Sequence, residues 1–106
     1  MPMVGERAQI EAEWLCLTRE TLPALAAERG WPVRNDHCFQ RILLDNACAG
    51  VWYEHISGRP AYRCAELPIL KRAVTLGQAC VSGGADLSAL NARSLSWRGK
   101  RRPSVP

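Results

Sequence analysis

Five residues near the middle of the chain, Asn35-Asp36-His37-Cys38-Phe39, put a thiol and an imidazole side by side at a helix start. The unpaired N–H groups of a helix N-terminus favour a thiolate, and a neighbouring imidazolium adds to that effect. Cys38 is therefore the nucleophile candidate of this sequence, with His37 and His55 as its candidate bases. Adjacent helical residues point about 100° apart, so His37 is poorly aimed at Cys38, and His55 must approach from elsewhere. The competing reading is a structural Cys beside a capping-region His. Metal binding draws on the same residues: His37, Cys38, Cys48, His55 and Cys64. Zinc sites bring ligands in pairs two to four residues apart, and only the adjacent His37 and Cys38 are close, so no metal and no cofactor is expected.

A second group sits at the other end: Ser94-Leu95-Ser96-Trp97-Arg98-Gly99-Lys100-Arg101-Arg102. An aromatic ring beside clustered arginines can stack on an exposed base while the cations hold phosphates. On a helix Arg93 and Trp97 lie one turn apart and share a face. The candidate nucleic-acid contacts are thus Arg93, Trp97, Arg98, Lys100, Arg101 and Arg102. The alternative places Trp97 in the core as an anchor for the last helix. A third pattern, Ala26-Ala27-Glu28-Arg29-Gly30, has the A-x-x-x-G spacing of a helix-turn-helix. In that arrangement the next helix turns His37, Gln40, Arg41 and Leu44 outward to a major groove. Its connector, Trp31 to Asp36, is longer than the usual three or four residues. Gly83-Gly84 lacks the Lys and Ser/Thr of a phosphate-cradling loop, and no G-x-S-x-G elbow is present.

The elements that would position these groups read as helices punctuated by Gly and Pro. The first runs from about Glu6 to Leu17, with Ile10, Trp14 and Leu17 as its stripe. A short second helix follows Thr21 as N-cap, with Pro23 in its first turn and Gly30 as left-handed cap. Asp36 caps a third helix ending at Gly50, in which Phe39, Ile42, Leu43, Asn46 and Ala47 face inward and Gln40, Arg41 and Asp45 outward. Val51 to Ser57 fits a short helix or an extended segment equally well. A broad apolar face from Glu66 to Val81 predicts the central helix, and Asp86 caps a last helix over Leu87–Trp97. No strand ladder is apparent. The expected fold is all-α: one small domain of four or five short helices over residues 1–98, followed by a basic disordered tail over 99–106.

Composition and charge set the outer bounds. The chain has 106 residues, 47% hydrophobic and 23% charged, which suits one globular domain and excludes large catalytic scaffolds. No apolar run is long enough for a membrane span, and the first residues lack the pattern of a signal peptide, so a cytoplasmic protein is expected. Five widely spaced cysteines, an odd number, suggest reduced thiols, most of them small core residues. The formal charge of +4 is uneven: after Asp86 there are five basic residues and no acid, whereas the rest carries nine basic residues against ten acidic ones. Twelve of the fourteen basic residues are Arg, the better partner for phosphate, although a GC-rich genome gives the same bias.

Several blocks resemble a family of small uncharacterised bacterial proteins, some of which carry a GNAT-type acetyltransferase label. They are Trp31-Pro32-Val33, Asn35 through Ile42, Leu44-Asp45-Asn46, Trp52-Tyr53, Arg59 through Tyr62 and Leu90 through Lys100. Together they span roughly residues 20–102. The label implies a mixed α/β fold with an R/Q-x-x-G-x-G/A loop for coenzyme A, and neither that loop nor strands are found in this sequence. The resemblance directs attention to His37, Arg41, Asp45, Tyr53, His55, Arg59, Tyr62 and Arg98, either as a surface or as internal pairs, with Asp45 bonded to an Arg and Tyr62 under the central helix. The functional expectation is an accessory protein that binds nucleic acid through its basic C-terminal segment. A protein–protein adaptor using Trp52 and Tyr53 is the first alternative. A small enzyme, acetyltransferase-like or dependent on Cys38 and His37, is the second.

Overall fold

The computed structural model describes residues 5–99, and these are all-α with no strand among them. The order is α1 (Glu6–Cys16), a π-helical turn (Leu17–Thr21), α2 (Leu22–Arg29), α3 (Asp36–Cys48), a 3-10 turn (Trp52–Glu54), the one-turn α4 (Ala61–Cys64), α5 (Leu67–Ser82) and α6 (Leu87–Trp97). The all-α expectation holds. The ambiguous segment after Gly50 resolves into the 3-10 turn.

The first two helices do not separate as the sequence suggests. Thr21 is no N-cap: its backbone is helical and its side chain caps nothing. The chain instead widens by one residue, with the Leu22 N–H donating to the Leu17 carbonyl. Pro23 has no N–H to give and would crowd the carbonyl four residues before it in a regular α-helix. The wide turn just ahead lets the rod continue through that proline. Thr18 lies inside this turn, fully buried. Its hydroxyl donates to the Trp14 carbonyl at 2.8 Å and accepts from Gln40 Nε2 at 3.0 Å, so the irregular turn is tied to α3.

Two caps also shift by a residue. Asn35, not Asp36, precedes α3, and its carbonyl accepts from the Cys38 and Phe39 N–H groups. Asp36 is the first helical residue, with its Oδ1 accepting from the His37 N–H. At the other end Ala49 rather than Gly50 takes the left-handed conformation, at φ 57°. A Cβ at Gly50 would lie 3.1 Å from His55 Nε2, a tight contact with an exposed side chain.

The core is one cluster in which Trp14, Leu22, Phe39, Ile42, Leu43 and Leu70 are wholly buried. Helix α5, the expected centre, shares that position with α3, which packs on α5 along one side and on α6 along another. The closest approach is at Gly77 of α5, where a Cβ would run into Leu17 and stand 3.0 Å from Leu43. This glycine is what lets the π-helical turn and α3 both reach α5.

All five cysteines are free, but their expected burial is corrected. Only Cys80 is buried; Cys38 and Cys48 are half-buried, and Cys16 and Cys64 are exposed. Burial pushes the Cys80 thiol up from 9.0 to about 11, with the Asp86 charge adding to it and Arg29 opposing. Burial also raises Cys48, aided by Asp45 and opposed by Arg72.

Three arginines act as helix-end donors. Arg29 donates to the Cys80 and Val81 carbonyls at 2.8 and 3.0 Å, Arg72 to Ala47 at 3.1 Å, and Arg7 to Tyr62 and Arg63 at 3.0 and 2.9 Å. Each satisfies carbonyls near a helix C-terminus from a neighbouring helix.

Two outcomes follow from this packing. Gly77→Ala should lower stability by about 1–2 kcal/mol in urea denaturation, because overpacking outweighs the better helix propensity of Ala. Cys80 should resist a thiol reagent that titrates Cys16 and Cys64 in the native protein. Its neutral thiol favours the fold fully below pH 9.0. That contribution should be lost as pH rises toward about 11, since the unfolded thiol ionises first.

Candidate functional site

The C-terminal candidate region is carried by α6, whose start matches the sequence reading: Asp86 Oδ1 accepts from the Ser88 N–H at 3.0 Å. Leu87, Leu90, Asn91 and Ser94 form its buried stripe. Arg98 extends that stripe by one turn, which brings its guanidinium back onto α3 rather than out toward solvent.

The partner is Asp45. Sequence periodicity places this carboxylate outward, but it is fully buried. The alternative in which Asp45 bonds an Arg is the one realised. Arg98 Nε donates to Oδ2 at 2.7 Å and Nη2 to Oδ1 at 3.0 Å, a two-pronged bond that raises the Arg98 pKa further above its ordinary value. Ser94 Oγ donates to Oδ2 at 2.7 Å and the Trp52 N–H to Oδ1 at 3.0 Å. Both carboxylate oxygens are thereby saturated. The signal available in sequence was an acid inside the apolar run Ile42-Leu43-Leu44-Asp45-Asn46-Ala47, because a charge on a buried stretch requires a partner.

Around this centre lies a polar seam between α3 and α6. Arg41 donates to Ser94 Oγ at 2.7 Å and Asn91 Oδ1 at 2.9 Å, and Asn46 Nδ2 to the Leu90 carbonyl at 3.0 Å. These bonds correct the helix-turn-helix arrangement. Of its four groove-facing residues, Gln40 is bonded to Thr18, Arg41 to α6, and Leu44 is buried. Only His37 is free of the fold's interior, its side chain 87% exposed with Nδ1 3.2 Å from Asp36 Oδ1.

The six C-terminal candidates divide. Arg93 and Trp97 are on the outward side of α6, Trp97 being 36% exposed. Trp97 is therefore not the core anchor of the last helix; Leu87, Leu90 and Ser94 hold it instead. Arg93 makes a single long contact, 3.5 Å to Asn46 Oδ1. Arg98 is committed to Asp45. Lys100, Arg101 and Arg102 lie outside the described residues.

Cys38, His37 and His55 are not joined: no hydrogen bond among the described residues links the thiol to either imidazole. Cys38 is the third residue of α3, and His55 is exposed against Gly50. Among the described residues no three His, Cys, Asp or Glu side chains gather to hold a metal, and no helix is long and apolar enough to cross a membrane. Beside α3, Trp52 and Tyr53 meet edge to face at 5.5 Å, and each carries a guanidinium over its ring, Arg59 on Trp52 at 5.2 Å and Arg98 on Tyr53 at 5.4 Å. Tyr53 is 55% exposed, and Tyr62 is partly buried against the core.

Comparison with known protein families, curated proteins and solved structures finds no match to this chain.

The Asp45 centre makes a specific prediction. Arg98→Met should cost about 3 kcal/mol, because it leaves a buried carboxylate uncompensated. Adding Asp45→Asn should restore part of that loss, since an amide oxygen still serves the Trp52 N–H. Urea denaturation of the single and double variants measures both.

Proposed function

We propose that this protein binds nucleic acid through the outward face of α6 and the basic segment that follows it. The observation behind the reading is the pair Arg93 and Trp97, one turn apart and turned away from the core, immediately ahead of Lys100, Arg101 and Arg102 in the sequence. Arg93 has no carboxylate partner among the described residues, so its charge is available to a phosphate. Trp97 offers an exposed aromatic ring beside that charge, suited to stacking on an unpaired base. Arg98 plays a different part from its neighbours. Its bond to Asp45 fixes the end of α6.

An adaptor reading draws on Tyr53, the most exposed large aromatic side chain among the described residues. Self-association lost on Tyr53→Ser, followed by sedimentation, would favour that reading over the first.

The deciding measurement is polarisation of labelled single-stranded DNA, duplex DNA and RNA at low and near-physiological salt. Binding should weaken steeply with salt, and Arg101→Glu with Arg102→Glu should flatten the logarithmic slope by about 2. Arg93→Glu should weaken binding to all sequences alike. Trp97→Ala should cost more on single strands than on duplex. No binding at low salt, or binding untouched by the double charge reversal, would overturn the proposal.

A further inference from the structure

The pocket between α3 and the Trp52–Ala61 segment carries an inference independent of the C-terminal segment. It encloses about 310 Å³ and is lined by His37, Gln40, Arg41, Trp52 and Arg59 among others. Two arginines, Arg41 and Arg59, are among its lining residues, and no carboxylate is. Arg41 is held by neutral acceptors only, Ser94 Oγ and Asn91 Oδ1, so two of its five N–H donors are used and its charge is not cancelled. The nearest acid of the seam, Asp45, is already matched by Arg98. Arg59 lies over the Trp52 ring and has no hydrogen-bonding or ion-pair partner among the described residues. The backbone N–H of Trp52 donates to Asp45 Oδ1. Arg41 is thus held in place before any ligand arrives, which lowers the ordering cost of binding.

We infer that this pocket binds a phosphoryl group. A phosphate monoester carries up to two negative charges and three acceptor oxygens, which suit the two planar donor forks of Arg41 and Arg59. His37 lines the rim of the pocket. The volume accepts the phosphate and a small attached group, within the lower range of ligand pockets. The phosphate belongs to one of two sources: the end of a nucleic-acid strand, or a free phosphorylated small molecule.

The test is a titration of the intact protein with inorganic phosphate in a buffer without other oxyanions, followed by amide and indole NMR. The Trp52 indole and the backbone of Arg59 and Ala61 should shift saturably. Arg59→Gln, at an exposed side chain outside the core, should weaken the affinity about tenfold or more with the melting temperature unchanged. Arg41→Lys, which keeps charge but loses the fork, should weaken it as well. The Arg101→Glu, Arg102→Glu chain should bind phosphate as the parent does, which separates this site from the C-terminal one. Tighter binding of a 5′-phosphorylated oligonucleotide than of its 5′-hydroxyl form, lost in Arg59→Gln, assigns the source to a strand end. Binding of nucleoside monophosphate with no such difference between the oligonucleotides assigns it to a small molecule. Absence of saturation up to tens of millimolar phosphate, or shifts that survive Arg59→Gln, would overturn the inference.

Discussion

A single buried carboxylate organises one half of this molecule. Asp45 sits in the last turn of α3 and accepts four hydrogen bonds, from Ser94, from two nitrogens of Arg98 and from the Trp52 backbone. Burying a charge without partners would cost several kcal/mol, so the fold must bring all of these groups together or forgo burying it. The consequence is geometric. Ser94 and Arg98 hold α6 onto α3, and the Trp52 N–H fixes the 3-10 turn where α3 ends. Trp52 in turn seats Arg59, and Arg98 seats against Tyr53. The outward pair Arg93 and Trp97, and the pocket with Arg41 and Arg59, are set from this one point.

The arginine content finds much of its explanation in the same terms. Arg7, Arg29 and Arg72 close helix ends by donating to carbonyls, Arg98 neutralises Asp45, and Arg41 ties α3 to α6. A flat, forked, permanently charged donor can serve two acceptors at once, which a lysine cannot do with comparable geometry. The bias toward Arg is therefore partly architectural. It leaves a smaller set, Arg59 and Arg93 among them, whose charge is not spent on a carboxylate inside the described fold. Those are the residues on which the functional reading rests.

The other half of the molecule depends on close approach rather than on charge. The rod from Glu6 to Arg29 crosses α5 at Gly77 and bears on α3 through Thr18 and Gln40. Its π-helical turn is a local irregularity with a tertiary use. The extra residue relieves Pro23 and places Thr18 where its hydroxyl can take a bond from α3. A regular helix through this segment would lose that contact and crowd the proline ring.

Helix content, the broad apolar face of α5 and the caps Asp86 and Gly30 were determined by the sequence itself, because they depend on periodicity and on local backbone chemistry. The same local rules were insufficient at Thr21, where a good capping residue lies within a continuous rod that packing keeps helical. They were insufficient at Ala49, where the demands of the Asp45 turn put an alanine in a left-handed conformation. Of the C-terminal candidates, helical spacing placed Arg93 and Trp97 on one shared face, and the tertiary structure decided that this face is outward. That Arg98 turns inward while Trp97 stays out was decided only in the tertiary structure, because a charge on α6 becomes an anchor only when α3 presents a buried carboxylate opposite it. Local sequence can place a residue on a helix face; what that face meets is a property of the whole fold.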